Sequence, residues 1–193
     1  MPESSVSDVA SARKLTSFLK GLRAVRRFSA DPIPEAVLMD IVEVARWTGS
    51  SKNTQPWHVV VVQARSTLEQ LATCGPYAGH LAGARAAVAL VMEDGNRRFD
   101  EGRLAQSIML AAWAHGVGSC IGSLYPDDNK RRAMELLAIP SGKWLHTAIS
   151  LGYPADAQAL RLSANRTGLS EVPLGRLDLA DFVSWERYRA STE

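Results

Sequence analysis

Residues 50–62 read SSKNTQPWHVVVV, and the run divides sharply at Pro56. Val59–Val62 is a continuous β-branched segment, which suits a strand covered on both faces. Such a strand has no need of the polar collar before it, Ser50, Ser51, Lys52, Asn53, Thr54 and Gln55. Ser, Asn and Thr bond their own backbone in turns, which accounts for Ser50, Ser51 and Asn53. Gln55 is different. Glutamine is not a turn former, and the following Pro56 predicts an extended backbone for it. A stiffened amide at the mouth of a sheet suits recognition of a planar ring carrying both donors and acceptors.

Working outward, residues 1 to about 10 are Ser-rich and expected to fray. Val9, Ala12, Leu15, Leu19 and Leu22 predict a helix over about 9–22. Asp31-Pro32-Ile33-Pro34 breaks the chain, and Pro34 suits the first position of a helix running to about Trp47. Val37, Leu38, Ile41, Val44, Ala45 and Thr48 form its core-facing stripe. A short helix is expected over 66–73, a loop or weak helix over 75–83, and a second buried strand over 86–92. Residues 100–115 form a helix that is apolar nearly all round from Leu104 to Ala114, the mark of a buried helix, and a subunit interface is expected to supply part of its cover. The Gly/Ser-rich stretch 117–124 reads as a turn leading to a helix over about 127–138. A third strand follows at 144–151, then an unpatterned segment to about 178, then a final helix over about 178–188. Helices and strands are interspersed without clean alternation. The expected fold is one α+β domain over 1–193, with a central mixed sheet of four or five strands and helices on both faces.

The totals exclude several function classes. Lys plus Arg is 22 and Asp plus Glu is 20, a net +2, which is too balanced for nucleic acid or an anionic membrane as the main partner. Cys74 and Cys120 form no CxxC pair, and the histidines at 58, 80, 115 and 146 form no HExxH, so no metal site is expected. No apolar run approaches the roughly 20 residues that span a bilayer. The N-terminal stretch carries acids and lacks an apolar segment, so the expected location is the cytoplasm, with both thiols reduced.

Three stretches suggest chemistry. Arg23, Arg26 and Arg27 follow a helix end; such clusters are commonly solvated, but guanidinium forks also match phosphate oxygens in pairs. The collar is the second. The third, Gly116-Val117-Gly118-Ser119-Cys120-Ile121-Gly122-Ser123, has alternating small residues that let a flat ligand approach the backbone. It follows a helix and not a strand, so it does not fit a dinucleotide-binding G-x-G-x-x-G.

Taken together these stretches resemble the nitroreductase family of flavin mononucleotide enzymes. Four blocks carry the resemblance: Arg23–Phe28; Ser50–Trp57 with its Asn-x-Gln-Pro-Trp; Ala111-Ala112 with His115–Ser119; and Gly175-Arg176 with Phe182–Tyr188. Leu151-Gly152-Tyr153-Pro154 is similar to the family's late strand. Asn-x-Gln-Pro-Trp is the most specific of these.

The resemblance implies an intertwined homodimer with two FMN sites, each built from both subunits. Arg23 and Arg26 would face the phosphate, the ribityl chain or the N1/O2 edge of the ring, and Arg176 would help hold the phosphate. Ser50, Ser51 and Asn53 would come from the partner subunit, and Gln55 would stay near the ring. The backbone of Ile121, Gly122, Ser123 and Leu124 would lie along the edge bearing N5. NADH or NADPH would deliver hydride to N5, and electrons would pass by a ping-pong mechanism to a nitroaromatic, quinone or related small acceptor. No catalytic acid or base is then required, because the protein's task is to orient two flat partners in turn.

The sequence departs from the family pattern in three places. Leu22 stands where an Arg is usual, Ala24 where a Ser is usual, and Gly49 where a Pro is usual. Each missing hydrogen bond to a charged group is worth roughly 1.5–3 kcal/mol, with Arg166 and Lys52 as candidate substitutes. The alternatives are a relative acting on flavin, a deazaflavin or a halogenated substrate, and a flavin-binding module without turnover. The pocket roof is expected in the segments 75–83 and 155–175, where Tyr77, His80 and Tyr125 could line the pocket, although each reads more readily as an ordinary half-buried residue; Cys120 reads as a small buried thiol.

Overall fold

The computed structural model describes residues 6–156, 176 and 178–188. The chain separates into two compact units, Met1–Ala159 and Leu160–Glu193. The first contains five helices, α1 (Val6–Gly21), α2 (Glu35–Arg46), α3 (Arg65–Ala72), α4 (Arg98–Ala114) and α5 (Asp127–Leu136), and four strands, β1 (Trp57–Val62), β2 (Ala86–Met92), β3 (Gly118–Ser123) and β4 (Trp144–Gly152). In the second unit, α6 is a single turn, Leu179–Phe182.

The strands form one sheet in the order β1-β2-β4-β3. All three pairings are antiparallel. The parallel component of the expected mixed sheet is reduced, among the described residues, to an isolated bridge between Ala24 and Ser119. Successive side chains of a strand point to opposite faces, and β2 shows this cleanly. Ala86, Val88 and Leu90 join Ile149 and Leu151 of β4 beneath α2 and α4. Ala87 and Ala89 join Leu145 and Ala148 beneath α3, α5 and a 3-10 turn at Gly79–Gly83. Helices therefore cover both faces, as expected, and every residue of β2 is buried.

Four expectations are corrected. First, the valine strand is not covered on both faces. β1 lies at the sheet edge, Val61 is 39% exposed, and Val62 alone of the four valines is buried. The strand that fits that description is β2. Second, the stretch 117–124 is not a turn, because Gly118–Ser123 pairs residue for residue with Thr147–Gly152. Its small residues hide a strand because other backbone and side chains press on it. A Cβ on Gly118 would lie 2.7 Å from the Val25 side chain. Third, Pro34 sits one residue before α2, at its N-cap. Fourth, the final helix is confined to Leu179–Phe182, and Val183 is already extended.

The long helix α4 buries Leu104, Ala105, Ile108, Met109, Ala111 and Ala112 within its own unit. Phe99 on its first turn is 78% exposed, and Leu15 and Leu19 on α1 are 65% and 52% exposed. No helix among the described residues is long and apolar enough to cross a membrane. Arg166 and Gly175 lie outside the described residues, as does most of the unpatterned segment before 178.

Candidate active site

The arginine segment is fastened to the edge of β3. The Val25 N–H donates to the Ser119 carbonyl at 2.8 Å, and Val25 is 1% exposed. Further on, the Ser29 N–H donates to the Tyr153 carbonyl at 2.8 Å, and Phe28 bridges to Pro154. Pinned on both sides, Arg26 projects beside β3.

The three arginines have different surroundings. Arg23 turns back onto α1, where its Nη1 donates to the carbonyls of Lys20 and Leu22. It thereby caps a helix end that leaves carbonyls unpaired. Its Nε is buried without a hydrogen-bond partner. Arg27 is exposed and pairs with Asp156 at 3.4 Å. Arg26 lines a cavity.

That cavity, of about 530 Å³, is walled by Arg26, Pro76, Tyr77, Gly79, His80 and Ile121. The loop that closes it is held tightly. A Cβ on Gly75 would lie 2.0 Å from the Ser123 carbonyl oxygen, so only glycine lets loop and strand approach this closely. The Tyr125 N–H donates to the Cys74 carbonyl at 3.1 Å, and the Tyr125 ring lies 6.5 Å from that of Tyr77. Of the three residues weighed as pocket lining or ordinary half-buried positions, Tyr77 and His80 are cavity walls. The available signal was the glycine-proline punctuation around them, Gly75-Pro76 and Gly79.

His80 belongs to a buried polar chain. Its Nδ1 lies 2.8 Å from Ser150 Oγ, and that hydroxyl donates to the Cys120 carbonyl at 3.3 Å. Ser150 is fully buried, while His80 Nε2 is buried without a hydrogen-bond partner. Burial pushes the imidazole pKa below its ordinary value; the Ile121 backbone opposes this, and the charge of Arg26 adds to it. Burial likewise pushes the Cys120 thiol up, with Arg26 pulling the other way. Cys120 is therefore the protonated, buried thiol expected of it.

The four expected β3 positions divide. Ile121 is 45% exposed and faces the cavity. Gly122 lies against the His80 ring, with a built Cβ 3.5 Å from Cε1. Ser123 is half-buried, and Leu124 is core, its N–H bonded to the His146 carbonyl at 2.7 Å.

The collar stands elsewhere on the unit. Ser51–Asn53 forms a 3-10 turn, and Lys52, Asn53 and Gln55 all have positive φ. The expectation of an extended Gln55 is corrected, since its φ is +45°. The Ser50 hydroxyl accepts the Gln55 N–H at 2.8 Å, and the Gln55 amide donates to Asn53 Oδ1 at 3.2 Å. Two side chains of the collar itself thus outweigh the preference imposed by the following proline. Gln55 borders a second cavity of about 280 Å³ with Ala45, Trp57, Val59 and Leu104. Within one chain Gln55 and Arg26 therefore line different cavities. Gly49 has a local reason to be small: a Cβ there would lie 3.0 Å from the Arg103 guanidinium. Arg176 is in the second unit, where it is exposed.

A family model described as the nitroreductase family matches residues 19–76, which include the arginine segment and the collar. Nitroreductase NfnB of Mycolicibacterium smegmatis is 30% identical, over 89% of this chain and 95% of that protein. Among solved structures, an FMN-dependent nitroreductase of Clostridium difficile superposes with TM-score 0.75 at 23% identity, covering 90% of this chain and 99% of that one. The NADPH:FMN oxidoreductase of Vibrio harveyi superposes with TM-score 0.71 at 20% identity, covering 92% and 79%.

Proposed function

This chain belongs to the nitroreductase family, and on that premise we propose that it is an FMN-dependent oxidoreductase that takes hydride from NADH or NADPH and reduces nitroaromatic, quinone or related small acceptors by a ping-pong mechanism. The observation that carries the reading is the β3-edge cavity with Arg26 at its rim. Its volume lies in the range of small-ligand sites. Tyr77 and Ile121 offer flat and aliphatic surface for a ring. An exposed guanidinium beside the cavity suits an anion, since taking a phosphate out of water unpaired is costly. These residues fit FMN. When bound, FMN supplies the hydride-accepting and electron-passing chemistry at its ring.

The chain's own contribution is to bind and orient. Arg26 neutralises the anionic part of the cofactor, and Arg176 is proposed to join it. Arg23 would join only by giving up the carbonyls that it caps. The wall formed by Ile121, Gly122 and the 75–80 loop would hold the ring and orient it for the reactants in turn.

The two separate cavities support a site shared between subunits of a homodimer. In it the collar of one chain, Ser50, Ser51, Asn53 and Gln55, completes the Arg26 cavity of the other. The exposed Leu15, Leu19 and Phe99 are apolar surface that a second copy would cover.

Mixed dimers test this directly. One chain carries Arg26→Ala and the other carries Ser50→Ala with Asn53→Ala. The reading predicts that each parent dimer retains little FMN, and that the mixed dimer regains one wild-type site per two chains. A mixed dimer no better than its parents overturns the shared site.

A further inference from the structure

On the second turn of α4, the Arg103 guanidinium is exposed and, among the described residues, has no hydrogen-bond or carboxylate partner. The carboxylate three positions earlier, Asp100, turns to Arg97 at 4.0 Å. Arg103 is seated all the same. Its guanidinium carbon lies 5.8 Å from the centre of the Phe99 ring, within cation–π range. On another side its Nη2 lies 3.0 Å from where a Cβ on Gly49 would be. The backbone beneath is tied as well. The Thr48 hydroxyl donates to the Ser107 hydroxyl at 2.8 Å, and Ser107 donates to the Arg103 carbonyl at 3.1 Å. The cation is thereby held against the residue that leads into the collar. Ser50 comes next, and its hydroxyl accepts the Gln55 N–H while keeping its own proton to give. A seated guanidinium and a hydroxyl donor at the start of the collar are suited to an anion.

The phosphate of FMN carries about two negative charges at neutral pH, more than one guanidinium balances. In the arginine segment Leu22 and Ala24 bring no polar side chain, Arg23 is engaged with two carbonyls, and Arg27 faces Asp156. We propose that Arg103 binds a phosphate monoester at the collar, and that in the shared site it grips the 5′-phosphate of the FMN held in the partner subunit's cavity. The fork of a guanidinium matches two phosphate oxygens at once. This assignment rests on the shared-site FMN reading above. It adds to that reading a residue on α4 and the chemical group that it takes. NADPH also carries a phosphate monoester, on its ribose, and the test separates the two sources.

The test uses the purified full-length protein freed of flavin, with binding read from quenching of flavin fluorescence. The probes are FMN and riboflavin, which has the same ring and ribityl chain without the phosphate. Arg103→Gln is expected to weaken FMN binding by about tenfold, the effect of losing one charge-assisted hydrogen bond, and to leave riboflavin binding and the melting temperature of the flavin-free protein unchanged. Arg103→Lys, which keeps the charge and loses the fork, should retain part of the FMN affinity. In mixed dimers with one working Arg26 cavity, the loss should appear when Arg103→Gln is carried by the chain that has Arg26→Ala, and not when it is carried by the other. Unchanged FMN affinity in Arg103→Gln overturns the proposal, as does an equal loss for both flavins or a loss that follows the chain with Arg26 intact. Unchanged FMN affinity with a raised KM for NADPH and not for NADH also overturns it, and gives Arg103 to the co-substrate. Wild-type protein that binds neither flavin overturns the FMN reading itself.

Discussion

The backbone of Val25 is bonded to that of Ser119 at 2.8 Å, and this contact, with that of Ser29 to Tyr153, sets where Arg26 stands. It exists because Gly118 leaves room for the Val25 side chain, 2.7 Å from where a Cβ would be. Gly118→Ala must push Val25 off the strand edge. The expected result is a loss of roughly 1–3 kcal/mol in stability, as for other overpacked sites, together with weaker FMN retention. Gly83→Ala, where nothing lies within 4 Å of the added carbon, is the control and should change neither. Thermal unfolding and flavin content of the two variants decide the point.

Arg26→Gln should lower FMN affinity by about tenfold, the effect of removing a charge-assisted hydrogen bond. The flavin-free protein should melt as wild type does, because Arg26 is exposed. Arg27→Gln removes an exposed ion pair with Asp156 and should leave both quantities nearly unchanged. Equal effects of the two substitutions would remove Arg26 from the site.

Ile108 is fully buried on α4, in the cluster beneath β2 and β4. Ile108→Ala should cost about 2–5 kcal/mol in urea unfolding. Leu19→Glu acts elsewhere. Leu19 is 52% exposed in the single chain, so the fold should tolerate the charge. On the shared-site reading the variant should run as a monomer in size-exclusion chromatography and release FMN. A monomer that still holds FMN at wild-type affinity would rule out a site completed by the partner.

Acid should destabilise the protein through two histidines. Burial holds His80 and His146 below the ordinary imidazole value, with Arg26 adding to the lowering in the first and Arg98 in the second. The unfolded chain therefore binds more protons than the folded one at pH values between their folded pKa values and about 6.5. Stability from these groups is complete above that value and is lost as pH falls through the folded pKa values. The melting temperature should drop as pH falls below about 6.5, and a His80→Asn, His146→Asn double variant should show a shallower drop. An unchanged slope in the double variant would assign the acid sensitivity to other groups.

The element order was legible in the sequence wherever apolar periodicity was strong. β2 has the expected bounds, and α2, α3 and α5 differ from theirs by a residue or two at most ends. β3 was hidden because Gly118 meets Val25 and Gly122 meets Ala148, Ala78 and His80, neighbours distant in sequence, and strand propensity does not register such contacts. The edge position of β1 was hidden for a related reason, since four valines look the same at an edge and in a centre. In the site, the arginine segment and the small-residue stretch were visible as composition. Which arginine faces the cavity was not, because Arg23 and Arg26 differ only in what their guanidiniums meet. His80 was legible as a possible pocket residue and no more: its contact with Ser150, seventy positions away along the chain, leaves no mark in the local sequence.

The measurement that tests the account most directly is the visible absorption spectrum of the full-length protein after incubation with FMN and desalting. The account predicts flavin bands that remain with the protein at one FMN per chain and bleach on addition of NADH or NADPH. Protein that emerges colourless would contradict it, and the cavity beside Arg26 would then belong to a different ligand.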